Sequence, residues 1–439
     1  MRRLLVVEDD NSVRTTLVTL LEMEGYAVDA AATTHDALEL LRSRPYPIVI
    51  SDIYLDERTG LDVLQSARQA QPDCAVILMT GRGTMETVMK ATEYGAFDYV
   101  AKPFDLDKML DVIRRAEESL EDGEREQDAT VDDLPQSEMI GSSAAMVDIY
   151  KTISRVAPTD ATVLIEGETG TGKELVARLV HRNSRRAAAP FMPVDCGSIA
   201  PSLLESELFG ALKGSYTGAD RDRMGVFEAA HTGTVLLDEI GDVDHGFQLK
   251  LLRFLQEKQI RPVGSPRPRS VDVRILAATN RDLQVMVDGG KFREDLWFRL
   301  NVVRITVPPL RERTGDIALL AHFFLQRYNE KYLQRAALTE SGLAAMEQYR
   351  WPGNVRQLQH MMERLTILAP HGKIDAAAVR DAVRSMESRE SVSESLADTE
   401  AEQIRRVLTA TRGNKSQAAK ILGIERKTLY RKLEKLGPG

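Results

Sequence analysis

The chain has only two cysteines in 439 residues, Cys74 and Cys196, too few for a disulfide framework and too far apart for a metal cluster. That usage points to a reducing compartment, and a cytoplasmic home is expected. No apolar run reaches bilayer-spanning length, and the opening MRRLLVVEDD turns acidic too soon for a secretory leader. Neither a membrane anchor nor export is therefore expected. Aromatic residues make up 5% of the chain, against 43% hydrophobic and 28% charged residues, an ordinary balance for globular domains. A net charge of −8 argues against a protein coated with nucleic acid, but that average conceals an asymmetry. Between Arg412 and Lys435 eight Lys/Arg face two Glu, a local excess of +6 that hints at a nucleic-acid-binding module.

Two stretches have too little apolar surface to offset their ordering entropy and are expected to be linkers. Glu117 to Glu138 carries ten acids and one Arg, and Ser385 to Thr399 is rich in serine and charge. They divide the chain into units at 1–121, 138–386 and 399–439, with linkers at 122–137 and 387–398.

In the first unit five short β-branched runs (RLLVV, YAVDAA, PIVISD, AVILMT, FDYVAK) alternate with helical patterns. This predicts a parallel sheet covered on both faces, with chemistry at the carboxyl ends of the strands. Glu8, Asp9 and Asp10 follow the first strand, Asp52 ends the third, Thr80 the fourth, and Lys102 follows the fifth. Taken singly, such acids are often helix caps. Converging together, they repel unless a hard cation sits among them, and Mg²⁺ suits oxygen ligands of this kind. With Lys102 and Thr80 to hold phosphoryl oxygens, the constellation suits phosphoryl transfer onto Asp52. Over its full length this unit resembles the receiver domain of two-component response regulators. The resemblance implies that Glu8 and Asp9, with Asp10, hold Mg²⁺ beside Asp52, that Thr80 and Lys102 sense the phosphoryl group, and that Tyr99 is the switch aromatic. Leu55 and Asp56 stand where the family often has Met-Pro.

The second unit opens with a β-branched strand running into Gly167, Glu168, Thr169, Gly170, Thr171, Gly172, Lys173 and Glu174, and then a helix. Glycines free backbone N–H groups to face phosphates, Lys173 adds charge, and the helix N-terminus adds its dipole. The hydroxyl that usually closes this motif is replaced by Glu174. Sixty-five residues after Lys173, the run TVLLDE ends in Asp238 and Glu239, a Walker B pattern. There Asp238 would bind Mg²⁺ or its water and Glu239 would polarise the attacking water. Asn280 ends a further strand, where it is suited to sense the γ-phosphate, and Arg293 and Arg299 lie six residues apart. Such a pair fits either a solvated basic face or an arginine finger.

Together with PPLRER and WPGNVR, these features resemble the AAA+ ATPase domain of bacterial enhancer-binding proteins, the activators of sigma-54 RNA polymerase. That family tolerates Glu at the position of Glu174. The resemblance implies that Arg293 and Arg299 reach the neighbouring subunit's nucleotide, and that Arg356 is a second sensor. Asp195 stands where the family often has an Asn that positions the catalytic Glu. The unit divides into an α/β part at 138–308 and a helical subdomain at 309–386.

Near the C-terminus, two short helical patterns meet at Gly423, with small Ala418 and Ala419 permitting close crossing. The second presents Arg426, Lys427, Thr428, Tyr430 and Arg431, and Lys415 and Ser416 open the first. This is a helix-turn-helix with a basic recognition helix, and it resembles the Fis-type domain that ends the same activators. Such domains bind DNA as dimers.

The implied architecture is multidomain α/β: a flavodoxin-like doubly wound receiver, an AAA+ P-loop domain with a helical subdomain, and an all-α C-terminus. The implied cofactors are ATP and Mg²⁺. The implied partners are upstream DNA enhancer sites, sigma-54 polymerase, a sensor histidine kinase, and other copies of the chain as dimers assembling to a hexameric or heptameric ring. Two alternatives are a DNA-binding repressor or conventional regulator whose ATPase is only regulatory, and an AAA+ unfoldase, which no substrate-processing motif supports. The discriminating stretch is Gly214, Ser215, Tyr216, Thr217, Gly218 and Ala219, which follows a helical run and matches the family's Gly-Ala-Phe-Thr-Gly-Ala loop with two added hydroxyls. The resemblance implies a mobile tip that touches the sigma factor.

Overall fold

The computed structural model describes residues 3–55, 59–81, 87, 90–91, 94–102, 104, 106–122, 139–215, 222–368, 372–386, 404, 407–408, 411 and 415–436. They fall into two compact units, Met1–Phe324 with Tyr349–His360, and Leu325–Gln348 with Met361–Gly439.

The first unit begins with strands β1 (Arg3–Val7), β2 (Ala27–Ala31), β3 (Ile48–Asp52), β4 (Ala75–Thr80) and β5 (Asp98–Ala101). They form an all-parallel sheet in the order β2-β1-β3-β4-β5. Period-two alternation sorts their apolar side chains onto two faces. Leu5, Val7, Val49, Val76 and Leu78 pack with Ala37 and Leu41 of helix α2 (Thr34–Ser43) and Val63, Leu64 and Ala67 of α3 (Gly60–Ala70). Leu4, Val6, Ile48, Ile50 and Met79 pack with Leu17 and Leu21 of α1 (Asn11–Met23) and Met109 and Ile113 of α4 (Leu106–Asp122). The strand order reverses between β1 and β3, so a crevice opens at their carboxyl ends. The doubly wound receiver expectation is met.

The ATPase part of the same unit holds a second parallel sheet, built from β6 (Val163–Glu166), β7 (Phe191–Asp195), β8 (Thr234–Asp238), β11 (Arg274–Thr279) and β12 (Val303–Thr306). Their order is β12-β6-β11-β8-β7, while β9 (Gln259–Ile260) and β10 (Arg269–Ser270) pair as a separate hairpin. β6, β11 and β8 are adjacent, so their carboxyl ends deliver the phosphate-loop motif, Asn280 and Asp238 to one edge. Helix α5 (Ala144–Val156) covers the sheet, and the fully buried Arg274 of β11 caps it. The Arg274 guanidinium donates to the carbonyls of Val156 and Ala157 at the end of this helix and to that of Ala161 beyond it. Helix α6 (Lys173–Arg182) starts at the phosphate loop, and α7 (Pro201–Phe209) and α8 (His245–Glu257) flank the other face.

After β12 and α9 (Glu294–Leu300) come the longer helices α10 (Gly315–Tyr332), α11 (Glu340–Glu347) and α12 (Asn354–Leu368). In the second unit α13 (Lys415–Ile421) and α14 (Arg426–Leu436) join through Gly423, at φ +69°, around buried Ala418, Ala419, Leu429 and Ile404. Among the described residues no helix is long and apolar enough to cross a membrane.

Candidate functional site

Three residues expected at the receiver edge converge. One carboxylate oxygen from each of Glu8, Asp9 and Asp52 lies within 4.8 Å of the others, an oxygen donor set that suits Mg²⁺. Asp10 sits elsewhere: its Oδ1 accepts from the backbone N–H of Ser12 and Val13 and caps α1. The Lys102 ammonium bridges Glu8 and Asp52 at 2.6 Å each. Burial pushes the Glu8 carboxyl above its ordinary value, and the Lys102 bond pulls against it. Burial lowers the Lys102 ammonium, but its bonds to Asp52 and Glu8 outweigh this and hold it above the usual lysine value. Thr80 is buried at the end of β4, and the Tyr99 ring is buried in β5. Gly60 passes so close to Asp52 that a Cβ there would stand 2.0 Å from the Asp52 carbonyl oxygen, so only glycine fits. Asp56 lies outside the described residues.

At the second edge the Lys173 ammonium is buried, 3.0 Å from the Gly167 carbonyl and 3.7 Å from a Glu239 carboxylate oxygen. Gly172, at φ +106°, turns the chain into α6 so that the helix begins at the phosphate loop. Glu239 has φ +52°, a left-handed conformation that costs a residue with a Cβ. Its Oε2 accepts the Asn280 N–H at 3.2 Å, and the Asn280 amide donates to the Thr169 hydroxyl at 3.1 Å. Asp238 caps the Glu239 N–H at 2.9 Å, and burial raises its carboxyl, with the Asp195 charge adding to the rise. Asp195 Oδ1 accepts from Gly197 N and Ser198 N and closes a turn beside Glu239. The exposed Glu174 pairs with Arg178, pointing along its own helix. Arg293 makes two bonds to Asp295, and Arg299 is exposed on α9.

On α14, Arg426, Lys427, Tyr430 and Arg431 are exposed and Thr428 is half-buried, while Lys415 and Ser416 are exposed at the start of α13. The Lys415 ammonium lies 4.8 Å from the Tyr430 ring centroid and the Arg426 guanidinium 5.6 Å, which joins the two helices into one cationic face around an aromatic ring.

Four domain families match in order along the chain: response regulator receiver domain at 4–114, Sigma-54 interaction domain at 139–306, AAA+ ATPase lid domain at 311–396, and bacterial regulatory protein, Fis family, at 395–436. The transcriptional regulatory protein ZraR of Salmonella typhimurium is 42% identical over 437 residues, covering 98% of each chain. The regulatory protein AtoC of Escherichia coli is 39% identical, covering 100% of this chain and 98% of its own. The crystal structure of NtrX from Brucella abortus in complex with ADP matches at 33% identity and TM-score 0.52, covering 100% of both chains. The chain belongs to the sigma-54-dependent response regulators.

As a member of that family it is an ATPase that uses Mg²⁺, with a receiver domain built for phosphorylation. Its Fis-type end goes with DNA, its central domain with sigma-54 polymerase, and its receiver with a kinase. The donor groups fit this chemistry. An oxygen-only carboxylate cluster stands ready for the cation, and a buried ammonium stands within the phosphate loop.

Several residues that shape the nucleotide edge escaped sequence reasoning. Asn354 is fully buried at φ +52°, accepts from Leu310 N, and donates to a Glu168 carboxylate oxygen and to the Thr169 carbonyl. Arg311 grips both oxygens of Glu168 at 2.6 and 2.8 Å. The buried Arg313 donates to the Thr171 carbonyl. Arg356, expected as a second sensor, donates its backbone N–H to the Gly170 carbonyl. PPLRER and WPGNVR carried the available signal, as motifs in which only Arg356 had an assigned role.

The root of the loop at Gly214–Ala219 is also built. Ala211 and Arg223 exchange both backbone hydrogen bonds, and Leu212 N donates to Val263 beside the β9–β10 hairpin. Gly210 crosses Arg223 and Gly225 so closely that a Cβ would stand 2.8 Å from the Arg223 carbonyl. Gly214 and Ser215 are described, and Tyr216, Thr217, Gly218 and Ala219 lie outside the described residues.

Proposed function

We propose that this protein opens sigma-54 polymerase complexes from upstream DNA sites by hydrolysing ATP, under control of phosphorylation at Asp52. A sensor histidine kinase supplies the phosphoryl group. An Asp52 carboxylate oxygen forms the new bond to phosphorus as the phosphohistidine nitrogen leaves with its electron pair. Glu8, Asp9 and Asp52 would hold Mg²⁺, which would supply positive charge to the phosphoryl oxygens. Lys102 and Thr80 then bond those oxygens, and Tyr99 carries the change to the output face.

In the ATPase, the loop amides of residues 167–173 and the Lys173 ammonium receive the phosphates. Asp238 serves the metal, and Glu239 orients the attacking water by accepting its hydrogen bond. Asn280 reads the γ-phosphate, and Arg356 reports on it from the lid helix. Arg293 and Arg299 complete the site of a neighbouring subunit in a hexameric or heptameric ring in the cytoplasm. The observation that carries this reading is the meeting of Lys173, Glu239 and Asn280 at one sheet edge, with Glu239 held in a left-handed backbone. Glu174 has no hydroxyl to offer the metal and stays on its helix surface. The Fis-type dimer reads DNA through α14, with Arg426, Lys427, Thr428, Tyr430 and Arg431 supported by Lys415 and Ser416.

The output is the tip at Gly214–Ala219, with Tyr216 and Thr217 as the gripping surface. The test is open-complex formation with purified sigma-54 polymerase, with ATP and with a non-hydrolysable analogue. Tyr216→Ala is expected to keep ATPase activity and lose open complexes. Equal loss of both activities would make the tyrosine a plug for its own domain.

A further inference from the structure

Four successive residues of the phosphate loop are tied from the same side to two distant segments. Arg311 and Asn354 hold the Glu168 carboxylate, and Asn354 takes the Thr169 carbonyl at 3.1 Å. Arg356 N–H takes the Gly170 carbonyl at 3.2 Å, and Arg313 takes the Thr171 carbonyl at 3.1 Å. Gly170 packs so tightly on this wall that a Cβ would meet the Gly353 carbonyl oxygen at 2.4 Å. The Gly167 and Thr171 N–H groups bond the Thr279 and Glu168 carbonyls, and with three consecutive carbonyls held by this wall the loop's other N–H groups are left for a phosphate-binding nest.

Glu168 is the polar centre of this wall. Its carboxylate accepts a two-pronged guanidinium contact and an amide bond, and these hold it down to about 2. The side chain is therefore committed to Arg311 and Asn354. Asn354 accepts a strained backbone to make its three bonds, and it opens the helix that carries Arg356.

We propose that Glu168 is a positioning residue: with Arg311 and Asn354 it clamps the phosphate loop to the root of the lid helix and presets the loop for nucleotide. The proposal rests on the reading of residues 167–173 as the phosphate loop. The clamp acts on the ground-state fit of ATP and ADP alike. Chemistry belongs to Glu239 on another strand, so losing the clamp raises KM and leaves kcat.

The test uses the full-length protein and the variants Glu168→Gln, Arg311→Met and the double variant. Steady-state ATPase is measured at saturating protein, ADP binding by titration, and apo melting confirms that each variant folds. Arg311 is half-exposed, so Arg311→Met tests the clamp without opening the core. Each single variant is expected to raise KM for ATP and Kd for ADP roughly three- to tenfold, the scale of a partly exposed charged hydrogen bond, with kcat within about twofold. The double variant is expected to be no worse than the worse single, because both remove one interaction. Unchanged KM, a fall in kcat at unchanged KM, or additive losses would each overturn the clamp. Lys173→Ala separates this from the underlying reading. If it abolishes nucleotide binding while Glu168→Gln and Arg311→Met bind normally, only the clamp fails. If Lys173→Ala binds ADP like the wild type, the phosphate-loop reading fails and takes the clamp with it.

Discussion

Glu239 occupies a left-handed backbone that costs of order 1–3 kcal/mol for a residue with a Cβ, and surrounding bonds must over-determine it. They do: Asp238 caps its N–H, and its own carboxylate receives the Asn280 N–H and faces Lys173. The strain aims the carboxylate into the edge where the phosphate loop opens. Glu239→Gln preserves shape and hydrogen-bond reach but removes the negative acceptor for a water proton. It is expected to bind ATP near wild-type affinity and to lose at least about a hundredfold in turnover, the usual scale for a group that orients or activates the nucleophile. A binding titration beside steady-state hydrolysis checks both halves, and hydrolysis at the wild-type rate would remove Glu239 from the chemistry. Asp195 lies beside this acid with its Oδ1 spent on a turn, so no amide from that position holds Glu239 here.

Among the elements, the strand–helix alternation of the receiver and the helix-turn-helix were legible because their signals are local. β-branched runs bounded by helical periodicity fix a strand, and small Ala418 and Ala419 beside Gly423 fix a helix crossing. The acids at strand ends were legible too, since a parallel sheet sends its carboxyl ends to one edge. Asn354 was not, because its partner Glu168 stands 186 residues away and no period relates them. Arg274 was hidden for the same reason. Inside VRILAATN it reads as a charge intruding on a buried strand, yet it caps a helix 117 residues earlier. Replacing Arg274 by Met keeps much of its bulk and removes its charged donor from the Val156, Ala157 and Ala161 carbonyls. The cost is expected to be about 2–4 kcal/mol, the scale of breaking a buried charged hydrogen-bond set. Chemical denaturation, read as a lower midpoint at unchanged slope, measures it; a midpoint equal to wild type would mean that water satisfies those carbonyls.

Across the whole molecule, one lysine joins the two ends of the proposed control chain. Lys151 on α5 of the ATPase reaches Asp98 at 2.5 Å and the Tyr99 carbonyl at 2.7 Å, and its ammonium lies 4.8 Å from the Tyr99 ring centroid. Asp98 and Tyr99 open β5, the strand that Lys102 follows, and Lys102 is bonded to Asp52. A shift of β5 that follows a change at Asp52 therefore meets α5 directly. Burial raises the Asp98 carboxyl, but Lys151 and Arg115 outweigh it and hold the group below the ordinary carboxylate value. Its folded-state value is depressed, so its contribution is complete above the unfolded carboxylate range and is lost only as pH falls through the lowered value. The link is therefore intact across the neutral range. Lys151→Met keeps the aliphatic stem and removes the charge. With the link gone, the ratio of ATPase activity with and without a small phosphodonor is expected to fall towards one, while Asp52 still labels at the wild-type rate. Labelling separates loss of coupling from loss of the acceptor. A wild-type activity ratio in Lys151→Met would place the coupling outside this contact.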